Sequence, residues 1–176
     1  EDQLKATDPR ASAFVSANAG SGKTYVLTRR VIRLLLAGVE PGRILCLTFT
    51  KAAAAEMAGR IFEELGRWAT LPDTALAAVI ADLEGQPVTP ERLQPARRLF
   101  ALALETPGGL KVQTIHAFAE ALLQRFALEA NLDGRFTVLD PRKAADLFAE
   151  ARAELYAGCA AHPETPEGQA FARLVR

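Results

Sequence analysis

Eight residues near the start of the chain, Ala17-Asn18-Ala19-Gly20-Ser21-Gly22-Lys23-Thr24, combine backbone freedom, one cation and one hydroxyl at a spacing suited to holding phosphate. Glycines let successive N–H groups turn inward around phosphate oxygens, and the positive end of a following helix adds to their pull. The run fits the pattern G-x4-G-K-[ST] with Ala17 in place of the first glycine, while Gly20 and Gly22 are kept. In that geometry Lys23 reaches the β and γ phosphates and the Thr24 hydroxyl ligates Mg²⁺. Lys23 and Thr24 are therefore the candidate catalytic pair. Ala19, Gly20, Ser21, Gly22, Lys23, Thr24 and Tyr25 are the candidate contacts to ATP.

Residue usage alone would produce the loosened pattern in roughly one chain of this length per hundred, so context has to decide. The mostly apolar run 11–17 predicts a strand entering the loop. Residues 22–36, with Val26, Leu27, Ile32, Leu34 and Leu35, predict a helix leaving it. Gly38 and Pro41-Gly42 end that helix, and the unbroken apolar run 44–48 then reads as a buried strand of a parallel sheet. Residues 51–68, rich in Ala, Glu, Met and Arg, predict a second crossover helix with Met57, Ile61, Phe62 and Leu65 along one side.

Two further helices are expected at 72–84 and 90–105, divided by Gly85-Gln86-Pro87 and closed by Pro107-Gly108-Gly109. A short β-prone stretch, 111–114, leads into an amphipathic helix at 115–130. After a turn at 131–134 and an extended run at 136–139, Pro141 suits the first turn of a helix running to about Gly158, and another helix follows Pro166. The chain stops without a capping signal, which predicts the front part of a longer protein.

Composition narrows the classes. Hydrophobic residues at 49% and charged residues at 24% describe a chain that folds, against disorder. Lys plus Arg and Asp plus Glu stand at 21 each, so any nucleic-acid site must be local. No apolar stretch approaches the roughly 20 residues of a membrane span. Cys46 and Cys159 form neither a metal constellation nor a disulfide framework, which predicts a protein of the reducing cytoplasm.

Three segments in order carry a resemblance. The loop 17–24, then Leu47-Thr-Phe-Thr-Lys-Ala-Ala-Ala-Ala-Glu-Met57, then Gln113-Thr-Ile-His-Ala-Phe118, resemble motifs I, Ia and Ib of the UvrD/Rep branch of superfamily 1 DNA helicases. The Thr-Ile-His-Ala-Phe form, the preceding Gly108-Gly-Leu-Lys-Val-Gln113 and the helical insertion are most similar to the AddA subunits of AddAB helicase-nucleases, which are related to RecB. One departure is visible: the usual Thr-Phe-Thr-Asn-Lys-Ala-Ala has Lys51 at the Asn position and Ala52 at the Lys position.

The resemblance implies an α/β fold, a RecA-like parallel sheet flanked by helices. Residues 1–131 would form the 1A domain with a helical insertion at about 72–107, and 132–176 the start of a helical 1B subdomain. It implies that Gln3 reads the adenine edge, for which a side-chain amide offers both donor and acceptors. It further implies DNA contacts from Thr48, Phe49, Thr50 and Lys51 and from Thr114, His116 and Phe118, with Phe49 stacking on a base and the threonines and lysine holding phosphates. His162 reads as solvated surface and Glu56 as a helix-face residue.

The implied activity is ATP-driven translocation on single-stranded DNA and unwinding of duplex DNA in double-strand-break repair, with an AddB-type partner. The acidic motif II, the second RecA-like domain with its arginine fingers and the nuclease domain do not occur in these 176 residues, so the segment by itself is expected to turn over ATP poorly or not at all. A small-molecule kinase and a non-catalytic nucleotide-binding module share the loop and stay open as alternatives.

Overall fold

The structure, a computed structural model, describes residues 2–16, 18, 22–133 and 136–175. It is a mixed α/β chain, mostly helical, with a small parallel two-stranded sheet. The elements run α1 (Asp2–Ala6), α2 (Lys23–Leu36), β1 (Leu45–Thr48), α3 (Lys51–Thr70), α4 (Asp73–Glu84), α5 (Leu93–Glu105), β2 (Lys111–Thr114), α6 (Ile115–Arg125), α7 (Pro141–Ala161) and α8 (Pro166–Leu174), with 3₁₀ turns at Pro41–Arg43 and Pro90–Arg92. Two compact units divide between Leu122 and Leu123, inside α6.

The first unit is built around one apolar cluster. Helix α2 contributes Val31, Ile32 and Leu35, and α3 contributes Met57, Ile61, Leu65 and Trp68 at three- and four-residue spacing. Leu76, Ile80 and Leu83 of α4 and Leu93, Ala96, Leu99 and Ala103 of α5 close it. Phe62, half-buried, meets Phe100 edge-on at 6.3 Å between ring centres.

Polar groups fasten the helix ends. Thr50 caps α3 by accepting the Ala53 N–H at 3.1 Å. Arg97 of α5 donates to the Trp68 carbonyl at the end of α3 (3.1 Å) and to Asp73 in the first turn of α4 (2.6 Å). Arg92 and Glu84 pair through both guanidinium nitrogens, and the hydrogen bonds from Arg92 hold the Glu84 carboxyl below its ordinary range.

The parallel register pairs Leu45 with Lys111 and Thr48 with Thr114, so α3, α4 and α5 together form the crossover between two adjacent strands. The expected helical insertion is thus the greater part of this connection. The strand expected at 11–17 does not form among the described residues: 12–16 pair with nothing, Phe14 is 95% exposed, and Ala17 lies outside the described residues. A parallel strand needs a neighbour's ladder, and β1 and β2 use only each other's.

In the second unit, the turn after α6 satisfies its carbonyls through Leu132 N–H to Ala127 and Asn131 N–H to Leu128, with Asn131 left-handed at φ 55°. The helix expected at 115–130 is regular only to Arg125, and residues 126–130 continue it as turns, with the Ala130 N–H on the Phe126 carbonyl. Asp140 caps α7 by accepting the N–H groups of Arg142 and Lys143, with Pro141 in the first turn as expected. Thr165 caps α8, and Tyr156 lies against Phe171 at 5.0 Å.

Trp68 is fully buried, and its indole N–H donates to Glu64 Oε1 at 2.9 Å. Trp68→Ala should therefore cost about 3–5 kcal/mol through the cavity it leaves. Urea titration followed by circular dichroism measures it, and a loss below about 1 kcal/mol would show that α3, α4 and α5 are not packed as described.

Candidate functional site

Helix α2 begins on Gly22, whose φ of 84° and ψ of 18° are left-handed, a conformation that a side chain at this position would resist. Gly22 has no side chain to cap the first turn, and no acidic residue sits in it, so the positive end of α2 meets no carboxylate of its own first turn. Ala17, Ala19, Gly20 and Ser21 of the candidate loop lie outside the described residues. Lys23 is exposed and its Nζ donates to the Asn18 carbonyl at 2.6 Å, across the mouth of the loop, and Thr24 is half-buried beside it.

Tyr25 is exposed, and its ring lies 5.2 Å from the Arg29 guanidinium carbon, which also donates to the Tyr25 hydroxyl through Nη1. Arg29 pairs in turn with Asp82 of α4 at 2.8 Å. These residues rim a cavity of about 810 Å³ whose floor includes Ile32, Trp68 and Leu83. Arg29 was not singled out by sequence. Its long-range partner, 53 residues away, leaves no local signal.

Gln3 is exposed on α1, and α1 is held against α2 by hydrogen bonds from Arg30 and Arg33 to the backbone of residues 4–11. These two arginines were also invisible in the sequence pattern, because their acceptors are carbonyls rather than carboxylates.

At the carboxyl edge of the sheet the last residues of both strands, Thr48 and Thr114, are register partners. The segments 48–51 and 114–118 therefore leave the sheet side by side, although more than sixty residues separate them in sequence. Phe49 is 86% exposed, with no packing that would account for an aromatic there. Thr48 Oγ1 donates to the Thr50 carbonyl at 3.0 Å, and Lys51 is exposed in the first turn of α3, where no acidic residue accompanies it. A lysine gains nothing from the positive end of a helix, so its position favours an anion that both can attract.

Thr114 is buried and accepts the Ala117 N–H at 3.1 Å, seating α6, so its hydroxyl faces the protein. His116 is exposed on the first turn of α6 and Phe118 is half-buried. Among the described residues no cluster of three His, Cys, Asp or Glu gathers that could hold a metal by itself. Burial raises the Cys46 thiol above its ordinary range, which suits packing rather than nucleophilic chemistry. Among the described residues no helix is long and apolar enough to cross a membrane.

The molecule thus combines a helix that starts on a left-handed glycine and carries Lys23 and Thr24 with two strands that end level beside an exposed aromatic. The chain belongs to the UvrD/REP helicase N-terminal domain family, which matches residues 1–170.

It is 32% identical over 167 residues to an ATP-dependent helicase/nuclease subunit of Pediococcus pentosaceus, covering 93% of this chain and 11% of that protein. It is 39% identical over 146 residues to the subunit of the same name in Desulforudis audaxviator, covering 81% of this chain and 10% of that protein. The corresponding subunit of Levilactobacillus brevis is 36% identical over 149 residues, 82% of this chain. The chain spans about a tenth of the length of these curated relatives.

Lys23 packs no core, so Lys23→Ala should abolish most affinity for a fluorescent ATP analogue while leaving the circular dichroism spectrum unchanged. Equal affinity in parent and variant would remove Lys23 from the site.

Proposed function

We propose that this chain is the ATP-binding amino-terminal part of an ATP-dependent DNA helicase, a helicase-nuclease subunit that moves along single-stranded DNA and separates duplex in double-strand-break repair. The observation that carries the reading is the level ending of β1 and β2. From that edge, where parallel sheets bind ligands, Phe49 and Lys51 would meet the same DNA strand as His116 and Phe118.

The nucleotide would lie on the amino end of α2. Its contacts there would be the loop backbone, Lys23 on the β and γ phosphates, Thr24, and Gln3 and Tyr25 about the base. The fit to Mg²⁺ is sound, since the ion asks for few protein ligands when phosphates and water supply the rest, and Thr24 offers one hydroxyl in the first turn. Bound with the triphosphate, the ion neutralises charge on the β and γ oxygens. Lys23 adds a fixed charge to the same oxygens, and the α2 N–H groups orient them.

At the sheet edge, Phe49 would stack on a base. The Thr50 hydroxyl, the Lys51 ammonium and His116 would meet phosphates or bases, since Thr50 keeps its own hydrogen to donate while accepting from Ala53; Thr48, whose hydrogen goes to the Thr50 carbonyl, would accept from a base donor or turn its hydroxyl to a phosphate.

A RecA-like sheet is part of the proposal. Among the described residues β1 pairs along one edge only, Leu45 and Leu47 remain 42% and 44% exposed, and a mostly apolar cavity of about 240 Å³ is lined by them with Leu27, Arg30, Val31, Leu34 and Met57. Parallel sheets are covered on both faces, so further strands of the longer protein would complete this one. Residues 1–131 would then be the 1A domain with its insertion at 72–107, and 132–176 the beginning of the helical 1B subdomain. An AddB-type partner and a cytoplasmic location go with the assignment.

The isolated 176-residue chain should show no DNA-stimulated phosphate release, whereas a protein carrying both RecA-like domains should. Comparable turnover by the short chain would mean that its own residues complete the catalytic apparatus.

In the two-domain protein, Phe49→Ala should weaken oligothymidine binding by about 1–3 kcal/mol, and His116→Ala in the same direction, with nucleotide affinity nearly unchanged. Fluorescence anisotropy at two salt concentrations reads this. Variants that bind DNA as the parent does would make both residues structural.

A further inference from the structure

Helix α1 has five residues and buries none of them, so it cannot hold its own shape or place. Its position is set by two arginines of α2, the helix that carries Lys23. Arg30 donates through Nη1 to the carbonyls of Ala6 (3.0 Å) and Asp8 (2.9 Å) and through Nη2 to that of Ala11 (2.6 Å). Arg33 Nη1 donates to the Leu4 carbonyl (2.8 Å) and to Thr7 Oγ1 (2.7 Å).

Thr7 is 1% exposed. Its hydroxyl donates to the Gln3 carbonyl at 2.9 Å, and its N–H reaches the same oxygen at 3.1 Å. An unbroken relay therefore runs from the Arg33 guanidinium through one buried hydroxyl to the backbone of Gln3. On its other side α1 is stopped by the end of α4: a Cβ on Gly85, left-handed at φ 72°, would come within 3.1 Å of Leu4 Cδ1.

The acceptors are neutral carbonyls and a hydroxyl spread along a bending segment. A planar fork with five donors can serve several of them at once, whereas a lysine satisfies them only by swinging between them. The Asp8 carboxylate pairs with Arg10 instead, so the carbonyls keep the α2 arginines to themselves.

Resting on the reading of Gln3 as the adenine contact, we infer that Arg33, assisted by Arg30, is a positioning residue for base selectivity. It fixes Gln3 in register with the phosphate helix, so that base and phosphates are recognised by one rigid piece. Arg33 acts through Thr7 and Gln3 and does not touch the nucleotide.

The test uses the 176-residue chain and competition of ATP and of inorganic tripolyphosphate against a fluorescent ATP analogue. The parent should prefer ATP. Arg33→Met should weaken ATP by about five- to tenfold while leaving tripolyphosphate unchanged, less than two charged hydrogen bonds are worth because Arg30 still holds the segment. Arg33→Lys should recover part of the preference, and Thr7→Val, which breaks the relay alone, should lose an intermediate share.

Gln3→Ala separates the two claims. A Gln3→Ala chain that keeps the parental ATP preference, or a parent without one, overturns the reading of Gln3 and the inference with it. A Gln3→Ala chain that loses the preference beside an Arg33→Met chain that keeps it overturns the positioning role alone. Equal losses of ATP and tripolyphosphate in Arg33→Met, with no recovery by lysine, would make Arg33 merely structural.

Discussion

Everything proposed for this chain depends on the burial of α2, the helix that carries Lys23 and Thr24. Val31, Ile32 and Leu35 sink that helix into the cluster formed with α3, α4 and α5. At about 25 cal/mol per Å² of apolar surface removed from water, side chains of this size each contribute on the order of 1.5–3 kcal/mol, more than any single polar contact at the loop. The buried half of α2 is the anchor, and its exposed amino end is what the anchor presents. Arg29, Arg30 and Arg33 extend that anchoring outward to α4 and to the amino-terminal segment.

A second constraint fixes the carboxyl edge of the sheet. Parallel pairing demands a crossover, and here it runs through α3, α4 and α5, so motifs far apart in sequence leave the sheet at the same level. Helix α3 serves both regions. Its apolar side packs on α2, and its first turn carries Thr50 and Lys51 to the sheet edge.

Much of this was legible in the sequence because it is written in local terms. The unbroken apolar run 44–48 predicts β1, although Leu45 and Leu47 stay exposed where a buried strand was expected; the β-prone stretch 111–114 predicts β2, and the spacing of Met57, Ile61 and Leu65 predicts the inward side of α3. Caps at Thr50, Asp140 and Thr165 follow the same local rules. Long-range requirements were not legible. The run 12–16 has strand composition but finds no ladder, and the α2 arginines are recognisable only once the carbonyls of residues 4–11 are seen opposite them. At the candidate site, the burial of Thr114 against α6 could not be read from a motif that sets it beside the exposed His116.

Hydrogen exchange followed by mass spectrometry on the 176-residue chain, free and with ATP or oligothymidine, addresses the central claim that nucleotide and DNA occupy different sites on one α/β unit. ATP should slow exchange of the amides of residues 22–26, at the start of α2. Oligothymidine should slow those of residues 49–52 and 115–117, at the carboxyl edge of the sheet, and leave the start of α2 unchanged. Protection by oligothymidine confined to the start of α2, with the sheet edge exchanging as in the free chain, would contradict the account.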